Sequence, residues 1–258
     1  MSILVIVPVY NELDVLPQTI GHLREQGCNV HCIDNWSMDG SFEMLNVWPG
    51  VTVERFPADG PVDSFQWARI LRRVELVAQQ SDADWCMYQD ADEIRRSQVP
   101  GETLAEAFHR LDKIGNAVSF RLFTFLPTKA GWTGEPLEDF FQYYDPNYLD
   151  SGLMHLKAWK NTGERVDLAW SGGHCVRFGR VCTSKEQLVL KHYPLRSTEQ
   201  GRRKVFEERR PRWDAEERSR SWHVQYDKLR ETDTFVWDTK NLYKYDLIDS
   251  RKGDSCAT

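Results

Sequence analysis

Short, unbroken apolar runs alternate with stretches of helical periodicity over the first 125 residues. Ile3-Leu4-Val5-Ile6-Val7 is the pattern of a strand buried on both faces of a parallel sheet, and Pro8 ends it. Asn11 stands where it can cap a helix with Leu13, Leu16, Ile20 and Leu23 at helical spacing, stopped by Gly27. Residues 29–33 predict a second strand, 34–40 a polar loop, 41 onward a helical turn or two, and 51–54 a short third strand. Residues 64–79 predict a helix with Phe65, Ala68, Leu71, Val74 and Val77 on one face. Trp85-Cys86-Met87-Tyr88 is another compact strand, leading directly into Gln89-Asp90-Ala91-Asp92-Glu93. A helix over 103–112 and a strand over 117–123 complete the series. Strands separated by helices imply right-handed crossovers and a mostly parallel sheet with flanking helices.

Beyond residue 125 the pattern changes. Residues 127–152 are rich in Gly, Pro, acidic and aromatic side chains, the composition of a long functional loop. Short strands are expected around 153–159, 174–178 and 187–192. Charged helical segments follow over 200–210 and 213–230, and residues 246–258 form a polar, frayed tail. The expected domains are 1–195, divided at 125/126 into a nucleotide-binding half and an acceptor-side half, and a C-terminal helical extension with its tail over 196–258.

Charge and composition narrow the classes. Lys+Arg number 33 against 39 Asp+Glu, a formal net charge of −6, which excludes a general nucleic-acid binder. No apolar run approaches the roughly 20 residues of a transmembrane segment. The N-terminus lacks a basic leader and an Ala-x-Ala site, so no secretory signal is expected. Six cysteines, at 28, 32, 86, 175, 182 and 256, contain no C-x-x-C pair and read as reduced thiols of a cytoplasmic protein.

In open parallel sheets, ligands collect at the carboxyl ends of the strands. Three polar clusters occupy that place: Tyr10-Asn11-Glu12, Asp34 with Asp39, and Asp90-Ala91-Asp92. Carboxylates converging on one edge repel unless a cation is present, which points to a metal, and oxygen ligands suit Mg²⁺ or Mn²⁺. Asp82-Ala83-Asp84 precedes its strand and reads as a solvated loop. Neither G-x-G-x-x-G after the first strand nor a P-loop is present, so a bound diphosphate needs a metal and side-chain cations.

Val7-Pro8-Val9-Tyr10-Asn11-Glu12, Ile33-Asp34-Asn35-Trp36-Ser37-Met38-Asp39-Gly40-Ser41 and Asp84-Trp85 followed by Gln89-Asp90-Ala91-Asp92-Glu93 together resemble the family-2 glycosyltransferases of the GT-A (Rossmann-like) fold. Asp-Ala-Asp-Glu, Gly172-Gly173-His174 and Lys191-His192-Tyr193-Pro194 resemble its subgroup with an extended D-x-D-E motif. The resemblance implies a metal-dependent inverting transfer from a nucleoside-diphosphate sugar donor to a glycan, lipid-linked or small-molecule acceptor. It assigns Pro8, Tyr10, Glu12 and Asp34 to the nucleotide, with the Asp34 carboxylate accepting a base N–H. Asp90 and Ala91 would lie at the ribose and metal, while Asp92 and His192 would hold Mn²⁺ or Mg²⁺. Arg202 and Lys204 would reach the diphosphate. The general base would come from Glu135, Glu138 or Asp139, with Glu138-Asp139 most like the family's Glu-Asp pair. Trp132 and His174 would line the acceptor side. Arg209-Arg210-Pro211-Arg212-Trp213 allows peripheral contact with anionic lipid at the inner face of a membrane. A non-catalytic nucleotide- or carbohydrate-binding module and a sugar nucleotidyltransferase are the alternative readings, although the latter is expected to carry a Gly-rich, Arg-containing loop where Pro8-Val9-Tyr10-Asn11-Glu12 stands.

Overall fold

The computed structural model describes residues 1–148 and 155–246. Strands β1 (Ile3–Val9), β2 (Asn29–Asp34), β3 (Val51–Arg55) and β4 (Trp85–Tyr88) lie in the order β3-β2-β1-β4, all parallel. Helices α1 (Leu16–Glu25), α2 (Ser41–Asn46) and α3 (Trp67–Gln80) make the crossovers. Then come β5 (Glu93–Arg96), α4 (Leu104–Leu111), β6 (Ala117–Phe125), α5 (Leu137–Phe140), β7 (Tyr143–Asp145), β8 (His155–Lys160) and β9 (Leu188–His192). The C-terminal region adds α6 (Thr198–Arg202), α7 (Ala215–Ser219) and the two-residue β10 (Tyr243–Lys244).

The strand period of two explains the layers. Ile3, Val5, Val7 and Val9 of β1 share one core with Leu16, Ile20 and Leu23 of α1, Leu45 of α2 and Phe108 of α4. Ile6, on the opposite face, packs with Leu71, Val74 and Ala78 of α3. Thr103 starts α4 through a reciprocal capping box with Glu106.

The sheet is mixed. Its parallel character is confined to the first four strands and the β6–β9 pair; β4–β8, β6–β8, β6–β7, β5–β9 and β7–β10 are antiparallel. β8 and β9 take opposite edges of β6, since Phe120 faces His155 on one side and Leu188 on the other.

Several local expectations shift. Asn11 does not cap α1: its φ is 54° and its side chain is turned to Met38 N–H and Glu208, while the helix begins at Leu16 with Pro17 in its first turn. Glu93–Arg96, to which the sequence pattern assigns no element, is a strand because β9 supplies its ladder partners. The 174–178 strand is reduced to isolated bridges at Cys175 and Arg177. Residues 153–154 of another expected strand, and 247–258 of the expected tail, lie outside the described residues. Among the described residues no helix is long and apolar enough to cross a membrane.

Candidate active site

Strand direction decides which polar residues meet. β1 and β4 run side by side, with Ile6 opposite Tyr88, so the segments that follow them leave along the same edge. Tyr10 and Glu12 follow β1, and Asp90, Ala91 and Asp92 follow β4. β9 arrives from the other half and sets His192 opposite Glu93, while Tyr193 N–H donates to the Asp92 carbonyl at 2.9 Å. These segments border a cleft of about 460 Å³, a volume typical of small-ligand sites. Pro8 also borders it, as does His174 from the Gly172-Gly173 turn.

Asp92 stands at the centre. It is buried, and the Lys204 ammonium donates to its Oδ2 at 2.8 Å and to Glu12 Oε1 at 2.8 Å. Arg196, fully buried, donates to Glu12 and Asp14, and its Nη1 lies 4.0 Å from Asp92 Oδ2. Burial opposes the charge on Asp92, but Lys204, His192 and Arg196 override it and hold the carboxyl far below the usual range. Asp92 Oδ1 accepts no hydrogen bond among the described residues and lies 3.6 Å from His192 Nε2.

Asp90 is occupied differently. Tyr88 Oη donates to Oδ1 and Lys157 Nζ to Oδ2 at 3.0 Å, so both oxygens have partners. Lys157 also donates to Glu93 Oε1 at 2.7 Å, and Arg95 to Glu93 Oε2 at 2.7 Å. Burial again opposes the charge on Glu93, yet Lys157 and Arg95 bring its carboxyl down to about 2. The carboxylates of Glu12, Asp90, Asp92 and Glu93 are therefore balanced by the chain's own cations. Their mutual repulsion requires no added metal, which removes the electrostatic part of the sequence argument for one.

Other candidates fall elsewhere. Asp34 ends β2 fully buried, accepting from Ser37 N–H at 3.1 Å with Arg55 Nε at 3.8 Å; burial pushes its carboxyl up. It does not border the cleft, whereas Asn35 beside it does, and Asn35 Oδ1 is buried without a hydrogen-bond partner. Arg202 is exposed and away from the cleft. Glu138 accepts from Arg96 and Lys191, Glu135 is exposed and bonded to Thr133 N–H, and Asp139 is exposed. Trp132 is buried against Phe141 and donates to the Glu135 carbonyl. None of these four borders the cleft. The aromatic loop closes a core around Phe125, Phe140, Phe141 and Tyr193. The basic run near 210 also turns inward: Arg210 donates to the Tyr226 and Leu229 carbonyls and Arg212 to those of Val62 and Asp63.

The sequence reading missed three groups. Lys157 and Arg196 carry the buried charge balance; a lysine inside the apolar run of β8 was the available signal for the first. The aromatic wall of Phe65, Trp67, Trp213 and Trp222 was the third. It is built by tertiary contacts such as Phe65 N–H to the Arg212 carbonyl, which join distant segments.

An α/β sheet with a ligand-sized cleft at the carboxyl ends of β1 and β4 belongs to the class of open sheets that place their ligand sites at the strand edge. The chain belongs to glycosyl transferase family 2, whose profile matches residues 4–170. Among curated proteins none matches the sequence. The crystal structure of S. aureus TarS 1–349 is similar at 14% identity and TM-score 0.45, covering 75% of this chain and 60% of that one. The same fragment in complex with UDP gives 14% identity and TM-score 0.45, over 78% and 62%. A 4-diphosphocytidyl-2C-methyl-D-erythritol synthase gives 14% and 0.33, over 62% and 73%. The similarity thus spans less than two thirds of the TarS fragment.

Proposed function

We propose that the protein is an inverting glycosyltransferase that takes a sugar from a nucleoside-diphosphate donor bound in this cleft to an acceptor hydroxyl. The observation that carries the reading is the meeting of Asp92, His192 and Lys204 beside the β1 end, within a chain of family 2. Asn35 offers an unpartnered carbonyl oxygen for a base N–H, and Asp34 holds the turn beneath it through Ser37.

A divalent cation fits one place. Asp92 Oδ1 and His192 Nε2 lie close enough to share an ion, whereas Asp90 has both oxygens occupied. No group of three ligating side chains exists among the described residues, so donor oxygens and water would complete the shell, as is common for Mg²⁺. The imidazole favours Mn²⁺. When bound, the ion supplies Lewis-acid stabilisation of charge on the departing diphosphate.

The chain's own part is positional and electrostatic. Lys204 and Arg196 keep Asp92 ionised and fixed. The acceptor oxygen forms the new bond to the anomeric carbon as the bond to the diphosphate oxygen breaks. His174, on the cleft wall, takes the hydroxyl proton.

Thermal shift with uridine, guanosine, cytidine and thymidine diphosphates, each with and without Mn²⁺, tests the reading. At least one nucleotide should raise the melting temperature, and more so with the ion. No shift with any of the four would overturn it, and binding without sugar transfer would favour a non-catalytic module.

A further inference from the structure

The helical segment after β9 changes its winding where it meets the cleft. Residues 203–209 form a π-helix between α6 and a 3₁₀ turn over Arg210–Arg212. Two observations show the five-residue repeat: Arg210 N–H reaches the Val205 carbonyl, and the Arg203 guanidinium pairs with Glu208, five residues on, at 3.4 Å. In an α-helix at about 100° per residue, positions five apart lie roughly 140° apart around the axis. The wider i→i+5 winding brings them back toward one face.

Lys204 and Arg209 are such a pair, and both border the cleft. Lys204 is committed to Glu12 and Asp92. Arg209 is not committed to any carboxylate: its guanidinium lies 4.3 Å over Phe65 and 5.9 Å from the Tyr10 ring, with no ion pair among the described residues. Its neighbours Arg210 and Arg212 are used on backbone carbonyls, so Arg209 is the member of the basic run left facing the ligand space. A guanidinium stacked on an aromatic face keeps its N–H edges available, and those edges match phosphate oxygens.

We propose that Arg209 binds the phosphate oxygens of the nucleotide donor, and that the π-helical winding of Arg203–Arg209 places it on the cleft beside Lys204. The inference rests on the donor reading above and adds a diphosphate ligand outside the acidic motif. The place of Arg209 in the turn agrees with the tendency of π-turns to gather at functional sites. The same cation would have no preference for an uncharged nucleoside.

Calorimetric titration of the full chain with the four nucleoside diphosphates named above, and with their uncharged nucleosides, tests this. Arg209→Gln should weaken the preferred diphosphate by about tenfold, the scale of one charge-assisted pair, and leave its nucleoside within about twofold. Arg209→Lys should recover part of the loss. Insertion of one Ala after the exposed Glu207, which sets Lys204 and Arg209 six residues apart and, at about 100° per residue, roughly 120° apart around the axis, should reproduce the Arg209→Gln pattern with helix content retained by circular dichroism. Equal weakening of nucleoside and diphosphate, or none, would overturn Arg209 as the phosphate ligand and leave the donor site standing. A wild-type chain that binds none of the four diphosphates would overturn the donor reading, and this inference with it. Unchanged binding in the Ala insertion would overturn the role of the winding alone.

Discussion

Lys191 and His192 are consecutive on β9, and the two sides of that strand carry opposite lessons. His192 faces the cleft beside Asp92, while Lys191 turns the other way to Glu138, which also holds Arg96. Both sides combine acidic residues with buried cations. On one side the carboxylate retains an oxygen open toward a ligand; on the other the carboxylate is closed by Arg96 and Lys191 against an aromatic core. One step of strand register separates a site from a clamp.

Cutting the charge balance on the cleft side should have the largest effect on stability. Arg196→Met leaves Glu12 and Asp14 without their guanidinium and should cost about 3–5 kcal/mol in denaturant unfolding, the usual penalty for breaking a buried pair from one side. A loss below 1 kcal/mol would show that the network is solvated.

On the clamp side the effect should be smaller and should spare chemistry. Glu138→Gln should cost about 1 kcal/mol and leave transfer unchanged. Burial alone would raise the Glu138 carboxyl, but Lys191 and Arg96 bring it below its ordinary 4.5. With the folded value below the unfolded one, its contribution is complete above that ordinary value and fades as the pH falls through the lowered one. Melting curves of wild type and Glu138→Gln should therefore separate at neutral pH and converge in acid. A strong loss of activity in this variant would restore Glu138 as a catalytic base. Glu135→Gln, at a fully exposed side chain, should change neither activity nor melting temperature.

The two sides differ also in how far the sequence foretold them. The apolar runs of β1, β2 and β4 and the periodicity of α3 and α4 depend on local burial, so their elements were legible to within a few residues. Asp90, Asp92 and Tyr10 follow strands whose parallel pairing leaves few alternatives, and the structure brings them to one edge. The acidic-aromatic loop was not legible in the same way. Trp132, Phe140 and Phe141 suit a sugar platform or a core equally well, and only the packing of α5 against β9 decides for the core. The β2 register buries Asp34 and brings Asn35 beside it to the cleft, a distinction that residue types alone do not carry. Lys157 and Arg196 escaped notice since long-range partners alone give them meaning. The π-winding of 203–209 leaves no signature in residue types.

Asp92 is the side chain on which the proposed transfer turns. Nucleotide release from a sugar-nucleotide donor should be measured with Mn²⁺ for wild type and Asp92→Asn at matched melting temperature. Wild type should release nucleotide, and the variant should fall by on the order of 10²–10³, the scale for removing one preorganised electrostatic contact. Equal release by the two proteins would contradict the assignment of this cleft as the place of transfer.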